Sequence, residues 1–316
     1  MLKAESSSRS RGLNRLLQVH DMNFKFGIAL FSATLLVALN IFGQESGYVN
    51  DVLAWRTKHQ EKLLADDGWF TVAGLFWLKE GVNTVGSGDG FDVQLTQSFK
   101  GGKFGEIDFK NGIVKLRVAD GVLATIGGKT IKTADLLPGS ETAKPTTVSV
   151  GSQSFFLIKR EDKYAIRLKD KTNPARLNFH GLKWYRVDPS YRVDARFEAF
   201  PQPKVVLIPN VLGTDFKMKS PGILRFKLQG KEYALQPVED EGKLMLIFRD
   251  ATSKTETYGA GRFLYAEKPV NGKVVLDFNQ AENPPCAFTD FATCPLPPQQ
   301  NRLDIEIKAG EKRYHD

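Results

Sequence analysis

Apolar and polar positions change rhythm twice along this chain. Phe26 to Phe42 is a run of 17 residues that is mostly apolar and holds no charge. From Asn50 onward Val52, Trp55, His59 and Leu63 recur at helical spacing, with Asp51, Arg56, Lys58 and Glu61 off that face. This predicts an amphipathic helix, with Asn50 as its N-cap and Asp67-Gly68 as its stop. His59 on that stripe reads as a partly buried helix histidine, because no second ligand lies one turn away. Past Gly68 the period shortens to two. Ile107-Asp108-Phe109 and Ile113 to Val118 flank Lys110-Asn111-Gly112, and Asn-Gly between alternating runs is a strong hairpin signal.

Gly127-Gly128, Gln229-Gly230 and Asn271-Gly272 repeat that device. Phe155 to Ile158, Tyr164 to Leu168, Val205 to Ile208, Ile223 to Leu228, Leu244 to Phe248 and Val274 to Phe278 read as further short strands. No regular alternation of strand and helix appears, which excludes a doubly wound α/β fold. The fold class is therefore mostly β: an N-terminal helix, an antiparallel β-sandwich and a second, C-terminal antiparallel β domain. Turn clusters at Lys171-Thr172-Asn173-Pro174 and Asp188-Pro189-Ser190 put the boundary near 175. The expected organisation is a leader over 1–43, a helix over 44–67, a sandwich over 68–175 and a β domain over 176–316.

The apolar run, with Lys25 before it and Gly43-Gln44 after it, has the pattern of a secretory signal. An uncleaved membrane anchor over 26–42 is the alternative, since its length is at the lower limit for a span. The protein is thus expected in the periplasm or outside the cell, touching a membrane only through that segment. No cysteine follows the run, so a lipid-modified cysteine is excluded. Residues 1–21 add nothing a signal needs, and Met22 is the expected start. Residues 1–43 carry five basic and two acidic side chains, so the net charge of +8 contracts to +5 without them. The remaining bases are interspersed with acids, as in Lys159-Arg160-Glu161-Asp162-Lys163, which is not a nucleic-acid footprint.

Two resemblances add to this. Glu80 to Gly86, leading into Phe91-Asp92-Val93-Gln94-Leu95, with Gly151 before Phe155-Phe156-Leu157-Ile158, resembles the forkhead-associated β-sandwich. That family reads phosphothreonine with an arginine after the glycine and a later Ser-x-x-His. Ser87 follows Gly86 here and Thr96-Gln97-Ser98-Phe99 has no histidine, so the resemblance implies a scaffold only. Asp250 to Ser253 with Glu256 to Leu264, Leu276 to Phe288, and Ala292 to Pro298 with Asn301-Arg302-Leu303 and Ala309-Gly310-Glu311 resemble a bacterial family known as domain of unknown function 1684. Asp66 to Trp69 and Gly74 to Trp77 fit it too, extending the resemblance over the mature chain. Tyrosine often stands in that family where Glu282 stands here.

Candidate chemistry concentrates between Asp277 and Asn301. Five of the 15 prolines and both cysteines fall within Pro284 to Pro298. Cys286 and Cys294 are the only cysteines of a chain expected to be exported, so a disulfide is the expected pairing. Closing so short a loop is worth roughly 2.6 kcal/mol. No further Cys or His lies near them, so no metal site is expected. Around the loop stand Glu256, Tyr258, Arg262, Asp277, Asn279 and Asn283. Tyr258, Arg262, Asp277, Asn279 and Asn283 are candidates to hold a small polar ligand or a saccharide. Glu256 and Asp277 are candidates for a hydrolytic acid–base pair. The plainer alternatives are an Arg262–Asp277 ion pair with asparagines capping turns, and a purely structural envelope protein. No Gly-x-Ser-x-Gly, His-Glu-x-x-His or phosphate-binding glycine loop occurs, and no cofactor is expected. Trp69, Trp77 and Trp184 have apolar neighbours and read as core or interface aromatics.

Overall fold

A computed structural model of the chain describes residues 46–140 and 142–315. The apolar run 26–42 and the expected start at Met22 lie outside the described residues. No helix among the described residues is long and apolar enough to cross a membrane. The chain divides into two compact units, Met1–Leu53 and Ala54–Asp316, and the second holds every sheet.

The N-terminal helix spans 46–64. It is already helical four residues before Asn50, so that asparagine lies inside it and caps nothing; a cap preference is a local term that an uninterrupted helix overrides. Its end follows the sequence closely. The Gly68 N–H donates to Ala65 O, and a Cβ at Gly68 would stand 2.1 Å from Leu63 O. Only glycine lets the chain turn back so tightly, and a 3-10 turn over Trp69–Thr71 follows at once.

Two sandwiches come next, each with its own core. In the first, a six-stranded sheet runs in the order Val72–Trp77, Lys163–Asp170, Gln153–Arg160, Thr147–Val150, Ala124–Ile126 and Lys129–Ile131. It faces a five-stranded sheet ordered Val93–Leu95, Gly81–Ser87, Lys103–Lys110, Ile113–Val118 and Thr133–Asp135. Val85, Phe104, Ile107 and Leu116 from one sheet meet Phe155, Leu157, Ile166 and Leu168 from the other, all buried. Pairing is antiparallel except between Gly81–Ser87 and Val93–Leu95, which run parallel. The alternating strand Ile113–Val118, every second residue buried, shows why these segments choose sheet: one face enters the core and the other meets water.

The second sandwich sets a four-stranded sheet, Lys231–Leu235, Asp215–Leu228, Arg192–Pro209 and Lys273–Asp277, against a three-stranded one, Val238–Asp240, Lys243–Phe248 and Arg262–Ala266. Its core joins Leu224, Phe226 and Leu276 to Leu246, Phe248 and Leu264, and is closed by Leu303, Ile305, Ile307 and Ala309 from the C-terminal segment. That last segment is mostly irregular, yet it is pinned: Ala251 N–H donates to Ile305 O and Leu303 N–H to Arg249 O. The Asn-Gly and Gln-Gly hairpins form where the sequence predicts them, with positive φ at both central residues of Asn111-Gly112 and Gln229-Gly230.

Candidate functional site

The helix presents Trp55, Arg56 and His59 on adjacent turns, and each finds a partner from the C-terminal sandwich. Arg56 lies over the Trp184 ring, 4.7 Å from its centroid, and donates Nη1 to Tyr185 O and Nη2 to Asn279 O. This fastens the helix. Four residues on, His59 stacks on Trp55 with centroids 5.3 Å apart, and Trp184 meets the imidazole edge-on. Residues at i and i+4 share a helix face, which is why Trp55 and His59 touch.

Two carboxylates flank the imidazole. His59 Nδ1 is 3.1 Å from Glu282 Oε2, and Nε2 is 3.6 Å from Glu311 Oε2. Both are ion pairs, the second longer than a hydrogen bond. Burial opposes the charge on His59, but the neighbouring carboxylates of Glu282 and Glu311 outweigh it and raise its pKa to about 9. His59 is therefore an imidazolium at neutral pH. Glu311 is fully buried, and desolvation lifts its carboxyl above the usual range although His59 and the Asn283 N–H pull the other way.

The Ala309-Gly310-Glu311 segment shows how the chain delivers that carboxylate. Gly310 has φ +79, and a Cβ there would stand 2.5 Å from Ala281 O and 2.7 Å from Phe278 O. Glycine alone fits. The Glu311 N–H then donates to Ala281 O, and its Oε2 accepts the Asn283 N–H at 2.9 Å. Glu282 is positioned separately, by reciprocal backbone hydrogen bonds with Phe263.

A cavity of about 540 Å³ opens beside this group, walled by Trp55, His59, Trp69, Tyr265, Glu282 and Asn283. Asn283 Nδ2 donates to Lys312 O at 2.8 Å, which fixes the amide orientation and leaves Oδ1 buried without a partner. Glu311 Oε1 is likewise buried and unpartnered. Asn283, an acceptor without a donor beside aromatic walls, suits a ligand carrying hydroxyl or amine hydrogens.

The residues singled out from sequence do not form one cleft around the proline loop. Asn283 alone of the six lines this cavity. Arg262 is fully buried and pairs with Asp250 at 2.6 Å, not with Asp277, while donating to the carbonyls of Ile307 and Ala309. Antiparallel pairing sets Arg262 opposite Phe248, two positions from Asp250, and that register chooses the partner. Asn279 is buried and donates to Asp188 O while accepting from Asp188 N–H, and Asp277 accepts from the Asn279 N–H. Tyr258 donates its hydroxyl to Cys286 O. Glu256 faces Lys308 and Lys312 at the surface. Cys286 and Cys294 are adjacent free thiols, with the Cys286 N–H donating to Cys294 Sγ at 3.1 Å. Among the described residues no group of three or more His, Cys, Asp or Glu is arranged to hold a metal ion.

The sequence assigns His59, Glu282 and Glu311 no functional role: His59 reads as a partly buried helix position, and Glu282 and Glu311 are marked only by their places in the second and third segments of family resemblance.

Comparison with known proteins finds no match among the curated ones. A solution NMR structure of an uncharacterized protein from Haloarcula marismortui is 31% identical, spanning 43% of this chain and 78% of that one, with a TM-score of 0.37. The family model described as protein of unknown function (DUF1684) matches residues 177–312, a shorter stretch than the resemblance read along the mature chain. Those residues, which include Trp184, Glu282, Asn283 and Glu311, are the part of the chain that is similar to that family.

Proposed function

We propose that this protein binds a small polyhydroxylated ligand, a saccharide or polyol, in the His59 cavity. The observation that carries this reading is Asn283, which lines the cavity and whose fixed Oδ1 is buried without a hydrogen-bond partner. A ligand hydroxyl donating there meets an acceptor that otherwise forgoes its hydrogen bond. Trp55 and Trp69 offer flat apolar surface for the C–H face of a sugar ring, and Glu282 offers a second acceptor. Binding is favoured over hydrolysis because the best-placed titratable group is charged. An imidazolium with a pKa of about 9 is not a general base at neutral pH. Glu256 and Asp277 are absent from the cavity wall, and each is engaged elsewhere.

The test is a titration of a monosaccharide, disaccharide and polyol panel by calorimetry, with melting temperature as a second readout. At least one member is expected to bind the natural protein saturably. Asn283→Ala should weaken that binding about tenfold or more, the loss of one buried hydrogen bond. A panel with no saturable binder, or an affinity that Asn283→Ala leaves unchanged, overturns the reading.

A further inference from the structure

A second, larger groove of about 1150 Å³ adjoins the first and shares Trp69 with it. Two arginines from adjacent strands line it. Arg167, on the strand Lys163–Asp170, is 5% exposed and lies over the Trp69 ring, 5.0 Å from its centroid. Its only hydrogen bond is a long one, from Nη2 to Phe291 O at 3.4 Å, and its Nε is buried with no partner. Arg160, from the neighbouring strand Gln153–Arg160, donates Nε to Thr293 Oγ1 at 2.9 Å and Nη1 to Lys159 O. Both guanidinium groups thus reach the same short turn, 291–293.

Neither arginine has a carboxylate within ion-pair distance among the described residues. A buried guanidinium such as Arg167, with a half-buried second one close by, is costly unless an anion joins it. Burial, and then the charge of Arg160, pull the Arg167 pKa down to about 10, which still leaves it charged at neutral pH. Cys294 lines the groove too, but its shared hydrogen bond with Cys286 and its burial push its thiol up, so it supplies no thiolate. A guanidinium with free donors in a partly desolvated groove matches the geometry of an oxyanion, which accepts two parallel N–H bonds.

From the unpaired Arg160 and Arg167 guanidiniums flanking the 291–293 turn, we infer that this groove is a binding site for a small oxyanion, a phosphate or a carboxylate. Glu161, Asp162, Asp215, Asp240 and Glu241 also line it, and their charge disfavours a long polyanion. The ligand is a single anionic group on a small molecule or a free ion.

The experiment titrates inorganic phosphate and, separately, acetate into the full chain at constant ionic strength set with chloride. Binding is read by calorimetry and by 31P line broadening. Saturable binding is expected, tighter for whichever anion is the true class, with Arg167→Met weakening it at least tenfold and Arg160→Met several-fold. Asn283→Ala should leave it unchanged, which separates this site from the saccharide cavity. If Arg167→Met does not fold, Arg160→Met decides alone, because that side chain is only half-buried. The inference fails if neither anion saturates, or if affinity is the same in the folded arginine variants as in the natural protein.

Discussion

A histidine sealed between two carboxylates is a charge that burial alone would expel, and its neighbours reverse that outcome. The folded pKa of His59 is about 9 against 6.5 for the free side chain. A base whose pKa rises on folding binds its proton more tightly in the native state. Its stabilising contribution is therefore complete below pH 6.5 and is lost as pH climbs through 9. At about 1.4 kcal/mol for each pH unit between the two values, the contribution amounts to about 3 kcal/mol. Urea unfolding of the natural protein and of His59→Gln should show a gap of that order at pH 6 that narrows steeply by pH 10. A gap that stays constant with pH would remove His59 from the electrostatics of the fold. This residue was legible as a helix position and no further. Its partners stand at the opposite end of the chain, and no local spacing links Glu282 or Glu311 to it. Arg262 illustrates the same limit. Its charge is readable, but its partner Asp250 is selected by the register of two paired strands.

Elements whose geometry depends on a few special residues were the most readable. Asn111-Gly112 and Gln229-Gly230 need positive φ at both positions, so the residue pair announces the turn. Sheet order was not readable. The strand Val72–Trp77 pairs with Lys163–Asp170 across most of the first sandwich, and only packing decides such a partner. The proline loop lies between these extremes. Its prolines and cysteines mark it in the sequence, and the structure brings Cys286 and Cys294 side by side. Burial and mutual contact make Cys294 the weaker acid of the two, so Cys286, lowered first by its hydrogen bond with Cys294, is the thiol that deprotonates. Under oxidising conditions the pair is expected to close into a disulfide, adding roughly 2.6 kcal/mol. Peptide mapping of oxidised, unreduced protein should find Cys286 joined to Cys294. Two thiols that both remain open to alkylation after oxidation would contradict it.

At the scale of the molecule, the family segment 177–312 supplies half of the His59 site and the helix with its following turn supplies the rest. Arg160 and Arg167 come from the first sandwich and the turn they reach from the second. Function on this reading belongs to the junctions between elements, and so no local motif within either half marks it. Trp69, read from sequence as a core or interface aromatic, borders both cavities. The chain has four tryptophans, and two of them, Trp55 and Trp184, rest directly on His59. An imidazolium accepts an electron from excited indole and neutral imidazole does so poorly. The protein therefore carries its own optical titration: tryptophan emission should brighten as pH passes about 9, and His59→Gln should abolish that step. Emission that is flat across this range would mean that the ring was already uncharged. Anything that enters the cavity and disturbs the imidazole will register in the same light, without a label.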